Sequence, residues 1–479
     1  MQQRFVSRIM TLLVMILFFG TSFMPLSSSQ LTHPIMSDQS TITGQILYSP
    51  MDGTTTYLID YNGEINHTWT SNYLPGISVC WLGNGTILRT IKTTIVGFGG
   101  SGGGLQKILW DGTIVWDYRY DSNGDLSHHD IKVLPNGNVL LISWETKTRA
   151  EAIQAGRNPD TFLGDDFMPV HILEVHQTGL ETGSIVWEWH VWDHLIQDFN
   201  HSQDNYGIVS EHPELIDINA GSTTMKSDWL HTNSIDYNPQ LDQIMISSHS
   251  LNEIWVIDHN TTIEEAAGHT GGTSGKGGDI LYRWGNPQVY GRGSTSDQKL
   301  FGQHDATWIK PGCPGEGHIL VFNNGLNRPA GDYSTIDEIA PPIDEHGQYY
   351  IAQDTAYGPI GTAWKYIADP PKSFFARGIS GAERLMDGDT LVCNGVEGRF
   401  FEVTPDGTEV WEYVNQYPTP GLNNVFKIVY IPPKEPTMGA NLQCNGSLSW
   451  SDVKSGQTIN GSFQVENVGD PDSLLNWTI

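Results

Sequence analysis

LWDGTIVWDY (Leu109–Tyr118), TGSIVWEW (Thr182–Trp189), GDILYRWG (Gly278–Gly285) and TPDGTEVWEY (Thr404–Tyr413) carry one pattern, a glycine near the turn and then an apolar strand bearing Trp. DYNGEINHTW (Asp60–Trp69) repeats it near the start of the chain. Between these copies runs a second half-unit: WLGNGTIL (Trp81–Leu88), LPNGNVLL (Leu134–Leu141), YNPQLDQIMI (Tyr237–Ile246), GEGHILVF (Gly315–Phe322) and LMDGDTLV (Leu385–Val392). Asn-Gly and Asp-Gly supply the positive φ that tight hairpin turns require. Two alternating hairpins per unit make a four-stranded sheet that cannot bury both faces alone, and a ring of such sheets can. The sequence therefore predicts an all-β fold, a β-propeller of about six blades. The Trp of each unit packs between blades, and Ile42–Trp69 pairs with the last unit to close the ring.

Working outward, the propeller is expected over residues 40–433. Long insertions at Glu145–Val170, Val191–Lys226, Asn260–Gly277 and Arg328–Phe374 are expected to roof one face, because long loops on a rigid scaffold are where sites are built. Residues 1–30 carry Arg4 and Arg8, then the apolar run Ile9–Phe19, then small and polar residues. This is the pattern of a signal peptide, with an uncleaved membrane anchor as the alternative. Residues 440–479 alternate like the opening strands of an immunoglobulin-like β-sandwich, too short to complete one, so the expectation is a truncated second domain. Sequons at Asn66, Asn84, Asn200, Asn260, Asn445, Asn460 and Asn476 agree with a location outside the cell.

Composition limits the function classes. The 52 Gly and 16 Trp among 479 residues suit short strands and tight turns. A formal net charge of −29 repels a phosphate backbone, which argues against nucleic acid and requires a locally positive pocket for any anionic substrate. Four cysteines, Cys80, Cys313, Cys393 and Cys444, are too few for a disulfide scaffold and show no zinc spacing. GGSGGGLQK (Gly99–Lys107) lacks the ending of a phosphate loop and reads as a flexible hairpin tip. Asp121-x-Asn123-x-Asp125 starts like a calcium loop, but Leu126 and Lys132 stand where Gly and Glu belong.

Histidine is the informative residue. SHHDIKVL (Ser127–Leu134), DWLHTNSIDY (Asp228–Tyr237) and GQHDATWI (Gly302–Ile309) each place His at the start of a unit. Equivalent positions in successive blades lie at similar height around the axis, so His129, His231 and His304 are expected to converge, joined by His249. In the pair His128-His129, one faces the axis and the other packs between blades; His129 is the expected axial residue. The ordinary alternative for any one of them is a capped turn residue. A zinc site with Asp130 or Asp305 is the chemical competitor, but its ligands would come from separate blades with no short chelating pair, and His190 and His194 sit on a strand end and turn.

These stretches, together with ILYRWGNPQVYG, ILVFNNGLNRPAGDYSTIDEI and ISGAERLMDGDTLVCNGVEGRFFEVTPDGTEVWEY, resemble the arylsulfotransferase family over most of residues 128–413. The resemblance implies a six-bladed propeller that moves a sulfuryl group from a phenolic sulfate ester to a phenolic acceptor. It implies a transiently sulfated His304, with His129 and His231 in support, no cofactor, and no metal in the chemical step. Members carry an arginine where this chain places His249; His128, Asn324, Arg328, Arg384 and Arg399 are the candidates for binding the substrate, the arginines as compensation. The expected partners are a small aryl sulfate donor and a phenolic acceptor, with attachment to a membrane or cell surface left open. A sulfate-ester hydrolase on the same scaffold and a non-enzymatic binding propeller remain the alternatives.

Overall fold

Each pair of half-units folds into one antiparallel sheet of four strands, and six such sheets close a ring; Ile35–Met36 adds a fifth, outermost strand to the sheet that begins with Gly381–Arg384. The computed structural model describes residues 44–433 apart from 97–98, 163 and 222–226, together with the backbone of the short strands Ile35–Met36, Leu442–Asn445 and Gln464–Asn467. Their innermost strands are Pro75–Trp81, Leu126–Val133, Thr232–Asn238, His304–Trp308, Gly381–Arg384 and Val425–Ile431, which open blades 1 to 6 in that order. Blade 6 closes the ring: Val425–Ile431 pairs antiparallel with Gln45–Pro50, as the sequence predicts, so the last propeller strand completes a sheet begun by the first.

The tryptophans of the repeat behave as expected. Four donate their indole N–H across the blade boundary, Trp116 to the Thr182 carbonyl (3.1 Å), Trp187 to Thr261 Oγ1 (2.9 Å), Trp284 to the Pro359 carbonyl (2.8 Å) and Trp411 to the Tyr61 carbonyl (2.8 Å), whereas the Trp69 Nε1 is buried without a partner. A large apolar ring with one polar tip suits a seam that is dry inside and wet at the rim. Trp364 does the same to the Pro405 carbonyl (2.8 Å), and its place is a correction. The predicted insertion Arg328–Phe374 contains Thr335–Ile339 and Trp364–Tyr366, the third and fourth strands of blade 4. They escaped the repeat because a long excursion separates them.

The axis is held by buried carboxylates. An innermost strand has one edge with no ladder partner, and its N–H groups need acceptors. Asp130 Oδ2 accepts from Ile235 N (3.2 Å), Asp236 Oδ2 from Trp308 N (2.7 Å), Asp305 Oδ2 from Ala382 N (3.2 Å) and Glu383 Oε2 from Tyr430 N (3.1 Å). Each acid thus serves the next blade. Lys427 Nζ reaches Asp130 (2.8 Å) and Asp305 (3.3 Å), tying blade 6 to blades 2 and 4. Burial opposes the charge on Lys427, but the two carboxylates outweigh it and hold the ammonium protonated.

Cys80, Cys313 and Cys393 are free thiols. Beyond the propeller, Leu442–Asn445 pairs antiparallel with Gln464–Asn467. The expected signal segment lies outside the described residues, as does most of the sandwich-like tail. Among the described residues no helix is long and apolar enough to cross a membrane.

Lys427→Met would leave Asp130 and Asp305 buried without a counter-charge. Stranding buried charge costs about 3–5 kcal/mol, so urea unfolding of this variant is expected to show a loss of that order. A loss below about 1 kcal/mol would mean the axial ion pairs are not a fastening.

Candidate active site

The histidines gather where the innermost strands begin. Ring centroids of His129 and His231 lie 4.7 Å apart, His231 and His249 5.2 Å, and His249 and His304 5.3 Å. His128 adjoins the chain of rings, its Nδ1 2.7 Å from His129 Nδ1 and its ring stacked on Trp144 at 3.8 Å. Phe426 fills the middle, 6.1 Å from His129 and 6.0 Å from His304. His128, His129 and His304 are buried; His231 and His249 reach solvent in part.

Backbone irregularity turns these side chains inward. His129 and His231 adopt left-handed conformations, with φ of 52° and 46°, and the pairing register shifts just after each. A bulge re-aims a side chain and sharpens the bend. In blade 4 the left-handed residue is Asp305 (φ 49°), and His304 pairs with Phe322 as His128 pairs with Ile142. The expected equivalence of His129 and His304 therefore holds in location but not in register.

His304 is the most tightly oriented. Its Nδ1 faces Asn324 Oδ1 (2.8 Å) and the Gly302 carbonyl (3.1 Å), both acceptors, so Nδ1 carries the proton. Asn324 is fixed with that face toward the ring because its Nδ2 donates to the Ala376 and Ile379 carbonyls. Nε2 keeps the lone pair and accepts from Ile379 N at 3.2 Å. Gln303 anchors the strand start, its amide donating to Ser247 Oγ and the Ser248 and Glu253 carbonyls. Burial, opposed by the Asn324 hydrogen bond, pushes the His304 imidazole down to about 4. Burial and then His231 hold His128 and His129 well below the usual histidine range; burial and then His304 do the same to His249. His231 differs in having a carboxylate: Asp228 Oδ2 lies 2.5 Å from its Nδ1, and Asp228 Oδ1 accepts from Trp144 Nε1 and His231 N.

A glycine turn covers the rings. His129 N donates to the Gly100 carbonyl (3.0 Å), and a Cβ on Gly100 would fall 1.8 Å from His129 Cε1. The stretch expected as a flexible tip is thus packed onto the site, and only glycine permits the approach.

The arginines fall elsewhere. Arg384 pairs with Glu338 (2.9 Å) and lies over Trp364; Arg399 pairs with Glu409 and Glu412 (2.6 Å each). Arg328 donates to the Tyr333 carbonyl and Thr335 Oγ1 and stacks on Tyr333. The geometry thus makes them seam and loop residues rather than a substitute for the charge absent at His249. Asp130 and Asp305, considered as metal ligands, serve as inter-blade acceptors. Residues not foreseen are Asp228, Trp144, Ile379, Phe426 and Lys427. Of these only Asp228, three residues before His231 in DWLH, had a sequence signal. An axial cavity of about 500 Å³ lies toward the other ends of the innermost strands, past Lys427, lined by Trp81, Lys132, Tyr237, Trp308 and Arg384 among others. It contains no histidine, so the histidine cluster is the better candidate for chemistry.

A closed six-bladed ring thus gathers oriented imidazoles at one axial end. The chain belongs to the arylsulfotransferase (ASST) family, whose model matches residues 34–429, and at the family level this means an aryl sulfotransferase-type function on small-molecule substrates. No curated protein matches its sequence. Similar solved structures include a Bacteroides caccae protein of unknown function, at 13% identity and TM-score 0.45, covering 81% of this chain and 99% of that one. Virginiamycin B lyase from Staphylococcus aureus is similar at 11% identity and TM-score 0.36, with 80% and 88% covered. Scores this low carry nothing about chemistry.

Two outcomes follow from the geometry. In histidine-labelled protein, the His304 resonance, identified through His304→Gln, is expected to titrate near pH 4, with neutral imidazole above and imidazolium below; a midpoint near 6.5 would refute the buried neutral form. Gly100→Ala is expected to cost about 1–3 kcal/mol by overpacking and to displace His129. Gly83→Ala, at nearly the same φ (83° against 85°) but in open space, is the control in urea unfolding, and equal losses would remove the clash argument.

Proposed function

We propose that this chain transfers a sulfuryl group from an aryl sulfate to a phenol through a sulfated His304. The observation that carries the reading is the fixed tautomer: Nδ1–H is bound to Asn324 and Gly302, so a neutral nitrogen nucleophile is held at Nε2.

In the first step Nε2 attacks sulfur, the N–S bond forms, the S–O bond to the aryl group breaks, and the electron pair leaves with the phenolate. His231, oriented by Asp228, is suited to give that oxygen a proton and later to take one from the incoming phenol. The phenoxide then attacks sulfur, the N–S bond breaks, and the imidazole lone pair returns. Ile379 N–H donates to the Nε2 lone pair in the resting site, so it must leave that lone pair for attack and can then donate to a sulfuryl oxygen as charge builds there. Arg377, exposed two residues before Ile379, is the candidate we name for the permanent positive charge that His249 does not supply. No nucleotide or metal enters these steps. The signal-like residues 1–30 and the sequons support a proposal of export.

Intact-mass measurement after brief exposure to excess phenyl sulfate is expected to show a gain of one sulfuryl group, absent in His304→Ala. Release of inorganic sulfate without a phenol acceptor would favour the hydrolase. No adduct and no phenol release from folded protein would sink the reading in favour of a binding propeller.

A further inference from the structure

Away from the axis, four side chains converge at the outer part of blade 2. His171 and His190 are cross-strand partners, with rings stacked at 4.0 Å. Glu188, two residues before His190, lies on the same face, because alternate residues of a strand share one side. Its Oε2 is 3.4 Å from His171 Nε2 and 3.9 Å from His190 Nε2. One ligand atom each from His171, Glu188 and His190 lies within 4.8 Å of those of the other two. Glu145 closes the group from the neighbouring strand end, its Oε2 3.3 Å from His190 Nδ1.

The polar atoms here satisfy one another only in part, with Glu145 on His190 and Glu188 loosely against His171. His171 is 3% exposed, yet neither of its ring nitrogens has a hydrogen-bond partner, and Glu145 Oε1 is likewise buried and unpartnered. Lys147 Nζ, 2.9 Å from Glu145, sits on the other oxygen and leaves Oε1 open. A buried imidazole with nothing on Nδ1 and only a carboxylate oxygen 3.4 Å from Nε2, out of hydrogen-bond alignment, is unusual, since buried polar groups are nearly always paired. A cation bound at a deprotonated nitrogen resolves it.

We propose that His171, Glu188 and His190 form a binding site for a divalent transition metal, best suited to zinc, with Glu145 holding His190 from its Nδ1 side. Two imidazoles and a carboxylate are ligands that zinc takes in four-coordinate geometry; bond lengths of about 2.0–2.2 Å place tetrahedral ligand atoms about 3.3 Å apart. The ligand atoms start within 4.8 Å of one another, and the stacked His171 and His190 rings would have to turn out of their parallel arrangement to share one ion. The partly exposed faces of Glu188 and His190 give a path of entry. A second cluster, His194, His269 and Asp279, lacks this signature, because both nitrogens of His194 are already bonded, to Asp279 and the Ala266 carbonyl.

The site's position suggests its use. Glu145 opens the first long insertion of blade 2, His171 follows its end, and His190 precedes the second. A metal here staples the roots of both loops, next to Trp144, which stacks on His128 and holds Asp228. The role is structural and does not depend on the sulfuryl-transfer reading.

The test uses the full chain, stripped with a chelator and titrated with Zn(II) by calorimetry and with Co(II) by visible absorption. Wild type is expected to bind one equivalent with the spectrum of four-coordinate Co(II), and zinc is expected to raise the thermal midpoint. Glu188→Gln and His190→Ala should weaken binding more than about 100-fold, beyond the usual effect of outer-shell changes. His269→Ala should leave it intact. Glu188→Gln is half-exposed and conservative, so an unchanged metal-free unfolding midpoint separates lost binding from lost folding. No bound equivalent in wild type, binding indifferent to both ligand substitutions, or binding lost in His269→Ala would each overturn the site.

Discussion

The unpaired inner edge of each blade is the constraint on which this molecule turns. Six strands surround an axis, each presenting N–H groups that no ladder can satisfy. The answer is a relay in which an acid or serine of one blade accepts from the backbone of the next, with Asp130, Asp236, Asp305 and Glu383 in turn. That arrangement accumulates negative charge at the axis, and Lys427 answers it from the closing strand, 297 residues from Asp130 in sequence. Lys132 on Asp236 and Lys310 on Glu383 balance the remaining acids, so the closing strand supplies part of the axial charge balance.

The histidine site sits on top of that solution. Each histidine adjoins an axial acid or the segment that carries one, and the bulges that let Asp130 and Asp305 reach across the seams also swing His129 and His304 toward Phe426. Burial then sets the chemistry. An imidazole that titrates near neutrality in water is held neutral when enclosed with other imidazoles, and a neutral ring is what a nitrogen nucleophile must be. His231 stands apart in having a carboxylate partner, Asp228.

The fold was largely legible because a propeller writes itself as a repeat: turn glycines, apolar runs and seam tryptophans recur at blade length. Blade 4 shows the limit. Its outer strands fell within a long insertion, since Trp364 is separated from Thr335–Ile339 by an excursion with no periodic signal. The gathering of His129, His231, His249 and His304 was also legible, from position within the unit. The compensating arginines were not, because Arg328, Arg384 and Arg399 are equally plausible by charge alone, and only their contacts show them occupied with Tyr333, Glu338 and Glu409.

By itself the sequence determined the number of blades, the turn positions, the seam tryptophans and the set of histidines, because each depends on residue type at a local spacing. Tertiary structure decided which nitrogen of His304 holds the proton, why Gly100 has no side chain, and that His171 faces His190. Those depend on which distant segments touch and on a one-residue bulge, and a bulge alters every neighbour of a side chain without altering its place in the repeat.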